Sequence, residues 1–217
     1  MSDSPESSLF CQFIFGACVV VLVIMILCVG FSYRRWKDKT RIESSPDKPT
    51  EKFLIQNNKH EPEWVGKEVA RRLGQLAHKG DTIVQAMLQS GEPTPDIAKR
   101  LASRWSHVRK KNGGLRETAF GESTAAYTVN KGEELRICIR DPRSQNLFED
   151  PNTSMLVLLH ELAHLMSISY GHNYEFKKNF AFITKLAVNL GVYHYVDYAK
   201  HPTSYCNVDI THSPISM

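Results

Sequence analysis

Cysteine is scarce in this 217-residue chain outside one apolar run near the N-terminus. Three of the five cysteines lie in that run, which leaves Cys138 and Cys206 for the remaining residues. These two show no CxxC spacing, so the sequence predicts no disulfide framework. We therefore expect a reducing compartment.

The chain contains no internal repeat. Residues 7–33 form an apolar run without a charged side chain. At ~1.5 Å per residue this apolar run is long enough to cross a hydrocarbon layer of ~30 Å. A cleaved signal peptide would begin with basic residues, whereas this N-terminus carries Asp3 and Glu6. The pattern predicts a short tail over residues 1–8 and a transmembrane helix over residues 9–33.

Positive charge is concentrated directly after the apolar run. Residues 34–116 hold 19 Lys/Arg against 10 Asp/Glu, whereas residues 117–217 hold 8 against 11. The positive-inside rule then predicts a single-pass membrane protein with its N-terminus outside and the rest in the cytosol. A basic half also suggests an anionic neighbour, either lipid or nucleic acid.

Two compositionally different regions follow the predicted membrane helix. Residues 34–60 begin with "RRWKDKTR" and continue with "IESSPDKPTEK", which predicts a basic juxtamembrane segment and a linker. Residues 61–217 are expected to form one soluble domain.

Helical periodicity dominates the first part of this domain. Apolar residues predict a helix from Trp64 to Leu88 with a break at "KGD", and a second helix carrying Leu101 and Trp105. The opposite face of the second helix, over residues 97–111, is basic. We interpret it as a solvated face, with binding of nucleic acid phosphates as the alternative.

Strands and helices then alternate. "AAYTVN" and "ELRICIR" predict a hairpin, and Asp150 followed by Pro151 is typical of a helix start. The predicted helix runs over residues 152–169, and another follows with Phe176 and Phe180 on its core face. Two strand or coil pieces, "GVYHYVDYAK" and "TSYCNVDITHSP", close the chain.

The stretch "HELAH" places His160, Glu161 and His164 within five residues of a predicted helix. Residues four apart share a helix face, so both imidazoles can reach one ion. Zinc binds imidazole nitrogen, and a catalytic zinc site keeps three protein ligands and an open position. Glu161 is predicted to be the general base that takes a proton from water.

The third ligand must come from beyond this helix. His172 follows Gly171, where the chain can turn back, and it is the predicted third ligand. Glu175 is the competing candidate, which would give a site of two histidines and one carboxylate.

The alternative interpretation of the motif is a chance match in a core helix. "SMLVLLHELAHLM" reads as a buried helix, where unpaired polar side chains are costly unless they bind a metal. We therefore favour a zinc site. The other histidines receive no role: His60, His78, His107, His194, His201 and His212.

"HELAHLMSISYGHNYEF" resembles the WLM and SprT-like zinc metalloproteases of the zincin class, most closely the WLM-like proteins of large DNA viruses. His160, His164, His172 and Glu161 match the motif of that family, and the resemblance extends roughly over residues 64–210. It implies an α+β, zincin-like fold in which a small sheet packs on the HExxH helix beside a substrate cleft. It also implies cleavage of proteins, in some members proteins crosslinked to DNA.

The expected function is that of a membrane-anchored zinc metallopeptidase with a Zn²⁺ cofactor and a protein or peptide substrate. Two alternatives stay open. One is a protease acting on DNA-associated proteins through the basic helix 97–111. The other is a non-catalytic zinc-binding interaction module, which the presence of Glu161 makes less attractive because a binding site needs no base.

Overall fold

The computed structural model describes residues 15, 18–29, 40–58, 60–110, 114–119, 124–141 and 148–216. The chain divides into two compact units, Met1–Thr40 and Arg41–Met217.

The first unit contains a helix over residues 18–29. Across the described part of the chain, no helix has both the length and the apolar character needed to cross a membrane. The predicted transmembrane helix over residues 9–33 and the single-pass membrane localisation are therefore wrong. The tail 1–8, residues 34–39 and the remaining parts of the predicted span lie outside the described residues.

The fold is α+β, and one of its layers is a mixed β-sheet. Its strand order is β1-β2-β3-β5-β4. The strands are β1 (Thr40–Ser44), β2 (Lys52–Gln56), β3 (Leu115–Glu117), β4 (Ala126–Val129) and β5 (Glu134–Ile137). The β2–β3 and β3–β5 pairs are parallel, and β4 pairs antiparallel with β5, as the predicted hairpin requires. Strand β4 therefore ends the sheet on one side.

The linker predicted within residues 34–60 is wrong for β1 and β2, which belong to this sheet. Phe53 and Ile55 alternate along β2, and both are buried in the main core. Their period of two is the strand signal that the surrounding Ser, Pro, Asp and Lys residues obscure.

The described residues of the second unit form four helices: α1 (Glu63–Ser90), α2 (Pro95–Lys110), α3 (Pro151–Met166) and α4 (Tyr174–Asn189). Helices α1 and α3 pack on the strands, and α2 and α4 pack mainly on other helices. Helix α3 packs against the other three helices and against β4 and β5. Its central position explains why its sequence is apolar on nearly every face. The residues of α3 that carry polar side chains are thereby held in a rigid frame.

The break predicted at "KGD" is wrong, because α1 continues through Gly80 and Asp81. A Cβ atom on Gly80 would lie 2.5 Å from Cζ2 of Trp105, so glycine permits the close approach of α1 and α2. The Trp105 indole N–H also donates to Asp81 Oδ1 at 2.7 Å. Both residues of the apparent break therefore serve helix packing.

Helix α3 begins where the sequence predicts and ends earlier. The Asp150 carboxylate accepts a hydrogen bond from the Thr153 backbone N–H at 2.7 Å, and Pro151 occupies the first turn. The helix ends at Met166 rather than near Ser169, because Ser167 leaves the helical conformation and donates its hydroxyl to Ala163 O at 2.8 Å.

A small second sheet near the C-terminus consists of β6 (Thr203–Tyr205) and β7 (Val208–Ile210). Cys206 and Asn207 form the two-residue turn of this hairpin with positive φ angles of 46° and 65°. Cys206 is joined to Cys138 by a disulfide, so the expectation of no disulfide is wrong. The partners lie 68 residues apart and meet through the fold, which spacing along the chain does not reveal.

Candidate metal centre

Helix α3 presents His160 and His164 on one face, as their spacing of four predicts. The centroids of their rings are 5.0 Å apart. Both side chains are partly buried, whereas the neighbouring Leu162 and Ala163 are fully buried in the core. The helix therefore fixes two imidazoles at the border between the core and an open cleft.

The chain returns to this face after a turn at Gly171, whose φ of +78° lies in the left-handed region that favours glycine. His172 Nε2 then lies 2.9 Å from His160 Nε2. The metal-binding atoms of His160, His164 and His172 all lie within 4.8 Å of one another. The structure thus brings together the three histidines that the sequence predicts as ligands.

Aromatic rings support this cluster from the core side. Phe176, in the first turn of α4, has its ring centroid 4.8 Å from His160, 4.3 Å from His164 and 4.7 Å from His172. Phe180, one turn later, lies 5.2 Å from His160. These contacts restrict the orientation of all three imidazoles.

The electrostatics of the cluster favour neutral imidazoles. Burial, together with His164 and His172, lowers the pKa of His160 to about 3. Burial, His172 and Lys131 lower the pKa of His164 to about 4. Neutral imidazole is the form that donates a lone pair to a metal ion, so the donors fit zinc at neutral pH.

Glu161 is buried beside the histidines, with 3% of its surface exposed. The Thr128 hydroxyl donates to Glu161 Oε2 at 2.8 Å. Burial raises the pKa of Glu161 to about 7, against the effect of the Thr128 hydrogen bond. Thr128 lies on β4, far from the motif in sequence, and a lone threonine on a strand gives no signal by which to find it.

Glu175, the competing third ligand, binds backbone instead of joining the cluster. Its carboxylate accepts hydrogen bonds from the N–H groups of Ile168 at 2.8 Å and Ser169 at 3.0 Å, and from the Ser169 hydroxyl. Burial opposes ionisation, but these hydrogen bonds hold the pKa of Glu175 at about 2. Glu175 therefore shapes the loop that leads to His172.

Three cations hold the C-terminal end of α3. Arg100 donates to Met166 O at 2.7 Å, and Arg104 donates to Leu165 O at 2.7 Å. Lys131 donates to the carbonyl of Ser167 at 2.9 Å. Positive charge at a helix C-terminus complements the helix dipole and satisfies its last carbonyls.

This arrangement changes the interpretation of the basic helix 97–111. Arg100 and Arg104 are turned inward as described, and Arg109 pairs with Asp81 and with Glu51 at 2.9 Å. Lys99 and Lys110 remain exposed. An open groove of about 1060 Å³ is lined by His107, Lys110, Lys131 and neighbouring residues, and it contains no histidine of the cluster. Nucleic acid as a partner stays a prediction.

Two cavities open onto the histidines. One of about 310 Å³ includes Thr128 and Lys131. The other, of about 520 Å³, runs between the β4 side and the β6–β7 hairpin. Both include His160, Glu161 and His172. Together they form a cleft beside helix α3, and β4 provides one of its walls.

Comparisons with known proteins identify relatives but no family. No family model matches the chain. An uncharacterized protein of Acanthamoeba polyphaga mimivirus is 28% identical over 194 residues, which cover 88% of this chain and 93% of that protein.

Two shorter matches are to iridescent viruses. An uncharacterized protein of Invertebrate iridescent virus 6 is 27% identical over 107 residues, covering 49% of this chain and 60% of its own length. One of Invertebrate iridescent virus 3 is 38% identical over 72 residues, covering 33% of this chain and 44% of its own length. No solved structure matches the chain. Membership of the WLM and SprT-like proteases stays a prediction.

Proposed function

We propose that this chain is a zinc-dependent metallopeptidase that hydrolyses peptide bonds in a protein substrate. The observation that carries the proposal is the convergence of three imidazoles, with their nitrogens within 4.8 Å of one another, beside a buried carboxylate. His160, His164 and His172 would hold the ion. A bound zinc supplies Lewis-acid chemistry, lowering the pKa of water and polarising a carbonyl oxygen.

Glu161 supports a catalytic role rather than a binding role. A carboxylate with 3% exposure is costly to bury, and zinc binding by three histidines does not require it. Its raised pKa, about 7, is suited to accepting a proton from water near neutral pH and giving it to a leaving amine. Thr128 fixes one carboxylate oxygen, so that the other is directed for proton transfer.

The cleft supports a polypeptide substrate. Strand β4 ends the sheet, and Ala126 on this strand lines both cavities at the histidines. An extended peptide can add to such a sheet edge through main-chain hydrogen bonds. Leu156, Val157 and Phe180 line the larger cavity and offer apolar contact to a substrate side chain. These contacts place no requirement on the charge of the substrate.

The full chain is expected to bind about one zinc ion and to hydrolyse a denatured, fluorescently labelled protein. A chelator should abolish hydrolysis, and added zinc should restore it. Metal analysis and the rate of fluorescence release measure the two results. His201→Ala, which removes an exposed histidine outside the cluster, is the matched control and should retain both properties. A folded preparation with far less than one zinc per chain would contradict the proposal.

Thr128→Val is expected to lower kcat by about 10–100-fold with little change in KM, because a hydrogen bond to a charged group is worth ~1.5–3 kcal/mol. Valine keeps the shape of threonine and removes the hydroxyl that donates to Glu161. Thr128→Ser restores the donor and should recover most of the activity. Steady-state kinetics on a peptide substrate separate kcat from KM. Equal loss in both variants would mean that Thr128 acts through packing.

A further inference from the structure

The proposed function makes no use of the disulfide between Cys138 and Cys206. Cys138 directly follows β5, whereas Cys206 lies at the turn of the β6–β7 hairpin. Both are buried, with 7% and 5% of their surfaces exposed. With Tyr205 they form a small cluster separate from the main core.

This bond joins the two walls of the larger cavity. On one side, the Cys138 N–H donates to Ala125 O at 2.8 Å, and Ala125 lines the cavity next to β4. On the other side, Tyr205, Val208 and Ile210 of the hairpin line the same cavity. The position of the hairpin relative to β4 therefore sets the width of the cleft at the histidines.

The surroundings of the two sulfurs accommodate thiols as well as a disulfide. Cys138 Sγ lies 3.2 Å from Arg140 O, and Cys206 Sγ lies 3.2 Å from Glu149 Oε1. Each thiol formed on reduction would find a hydrogen-bond acceptor already in place. Reduction would thus leave no new buried donor without a partner.

The hairpin depends on outside contacts for its order. It contains three residue pairs between two short strands. A two-stranded hairpin of this size is marginal in water by itself. Besides the disulfide, it is held by Tyr205 OH donating to Cys138 O and by the Cys206 N–H donating to Glu149 Oε1 at 2.8 Å.

We propose that Cys138 and Cys206 form a reversible thiol–disulfide site that controls substrate affinity in the cleft, an inference that rests on the proposed function. The reductant is a dithiol. It gives two electrons and two protons, the S–S bond breaks, two S–H bonds form, and the dithiol closes into its own disulfide. In the oxidised protein, the disulfide holds the β6–β7 hairpin in place as a wall of the cleft. In the reduced protein, the hairpin is free to move.

The test compares the oxidised full chain with the same protein after reduction by dithiothreitol, desalting and restoration of one equivalent of zinc. On reduction, KM for a protein substrate should rise about tenfold, because the wall is no longer preorganised. The value of kcat and the zinc content should stay the same. Hydrogen exchange should increase in residues 203–210, and reoxidation should reverse both changes.

Two variants sharpen this test. Cys138→Ser/Cys206→Ser should resemble the reduced protein under both conditions. Cys18→Ser/Cys28→Ser removes two exposed free cysteines and should keep the full redox response. Peptide mapping by mass spectrometry should find the 138–206 link in the oxidised sample.

Two results would overturn the inference: no link under oxidising conditions, or identical KM values for a folded, active protein in both redox states. Hydrogen exchange distinguishes failure of this inference from failure of the proposed function. Absence of hydrolysis in both states, in a protein with bound zinc and a redox-dependent hairpin, would reject the peptidase and keep the thiol–disulfide site.

Discussion

Glu161→Gln is expected to lower kcat for peptide hydrolysis by about 10²–10⁴-fold, the usual contribution of a general base. Glutamine matches the shape of glutamate and can still accept the Thr128 hydroxyl hydrogen bond at its amide oxygen. It has no basic carboxylate, so it can neither take a proton from water nor return it to the leaving amine. The three histidines are unchanged, and zinc content should remain about one per chain.

The measurements are kcat on a fluorogenic peptide, metal analysis and thermal unfolding of the full chain. Glu175→Gln provides a matched control, because it makes the same chemical change at a carboxylate that contacts loop backbone rather than the cleft. That control should retain kcat within a few-fold. Full activity in Glu161→Gln would remove this residue from the mechanism.

His172→Ala is expected to weaken zinc binding by more than about 100-fold, beyond the ~10–100-fold that loss of a group supporting the ligands costs. Only His160 and His164 would remain as strong donors. Glu175→Ala should affect zinc affinity far less, because its carboxylate binds the N–H groups of Ile168 and Ser169. Its cost should appear chiefly as lower thermal stability, through the lost hydrogen bonds.

Competition with a chromogenic chelator gives zinc affinity for both variants, and circular dichroism checks their fold. His194→Ala is a second histidine control, since the backbone of His194 contacts Asn152 and its side chain lies outside the cluster. The opposite ranking, with metal lost in Glu175→Ala and kept in His172→Ala, would indicate a site of two histidines and one carboxylate.

The sequence predicted the core of this site because its signals are local. His160 and His164 are four residues apart in one helix, and Gly171 marks the turn before His172. Asp150 and Pro151 likewise mark the start of α3 through the chemistry of its first turn. Such features depend on a few neighbouring residues, so they can be read without the rest of the fold.

Features that depend on distant contacts were missed. Thr128 becomes relevant only when β4 lies beside α3, 33 residues away in sequence. Cys138 and Cys206 meet only after the hairpin packs behind β5. Gly80 suggested a helix break, because its packing against Trp105 lies between helices and not within one. In each case the missing information was a tertiary contact between residues that are distant in sequence.

The membrane prediction failed for a different reason. Composition showed an uncharged stretch over residues 9–33, but length of apolar sequence does not establish length of helix. Across the described residues, no helix combines the length and the apolar character that crossing a membrane requires. An apolar run is thus a condition for a spanning helix and does not by itself establish one.

The position of β2 in the sheet sets where a working fragment of this protein can begin. A truncation at residue 60 would remove Phe53 and Ile55 from the core, each worth ~1.5–3 kcal/mol of buried apolar surface. It would also take away the Gln56 N–H that donates to the buried Glu117 carboxylate at 2.8 Å. The edge of β3 that pairs with β2 would then be exposed and free to pair with a strand of a second molecule. Because domains have only ~5–15 kcal/mol of net stability, such a fragment is prone to aggregate, and recombinant boundaries belong before Thr40.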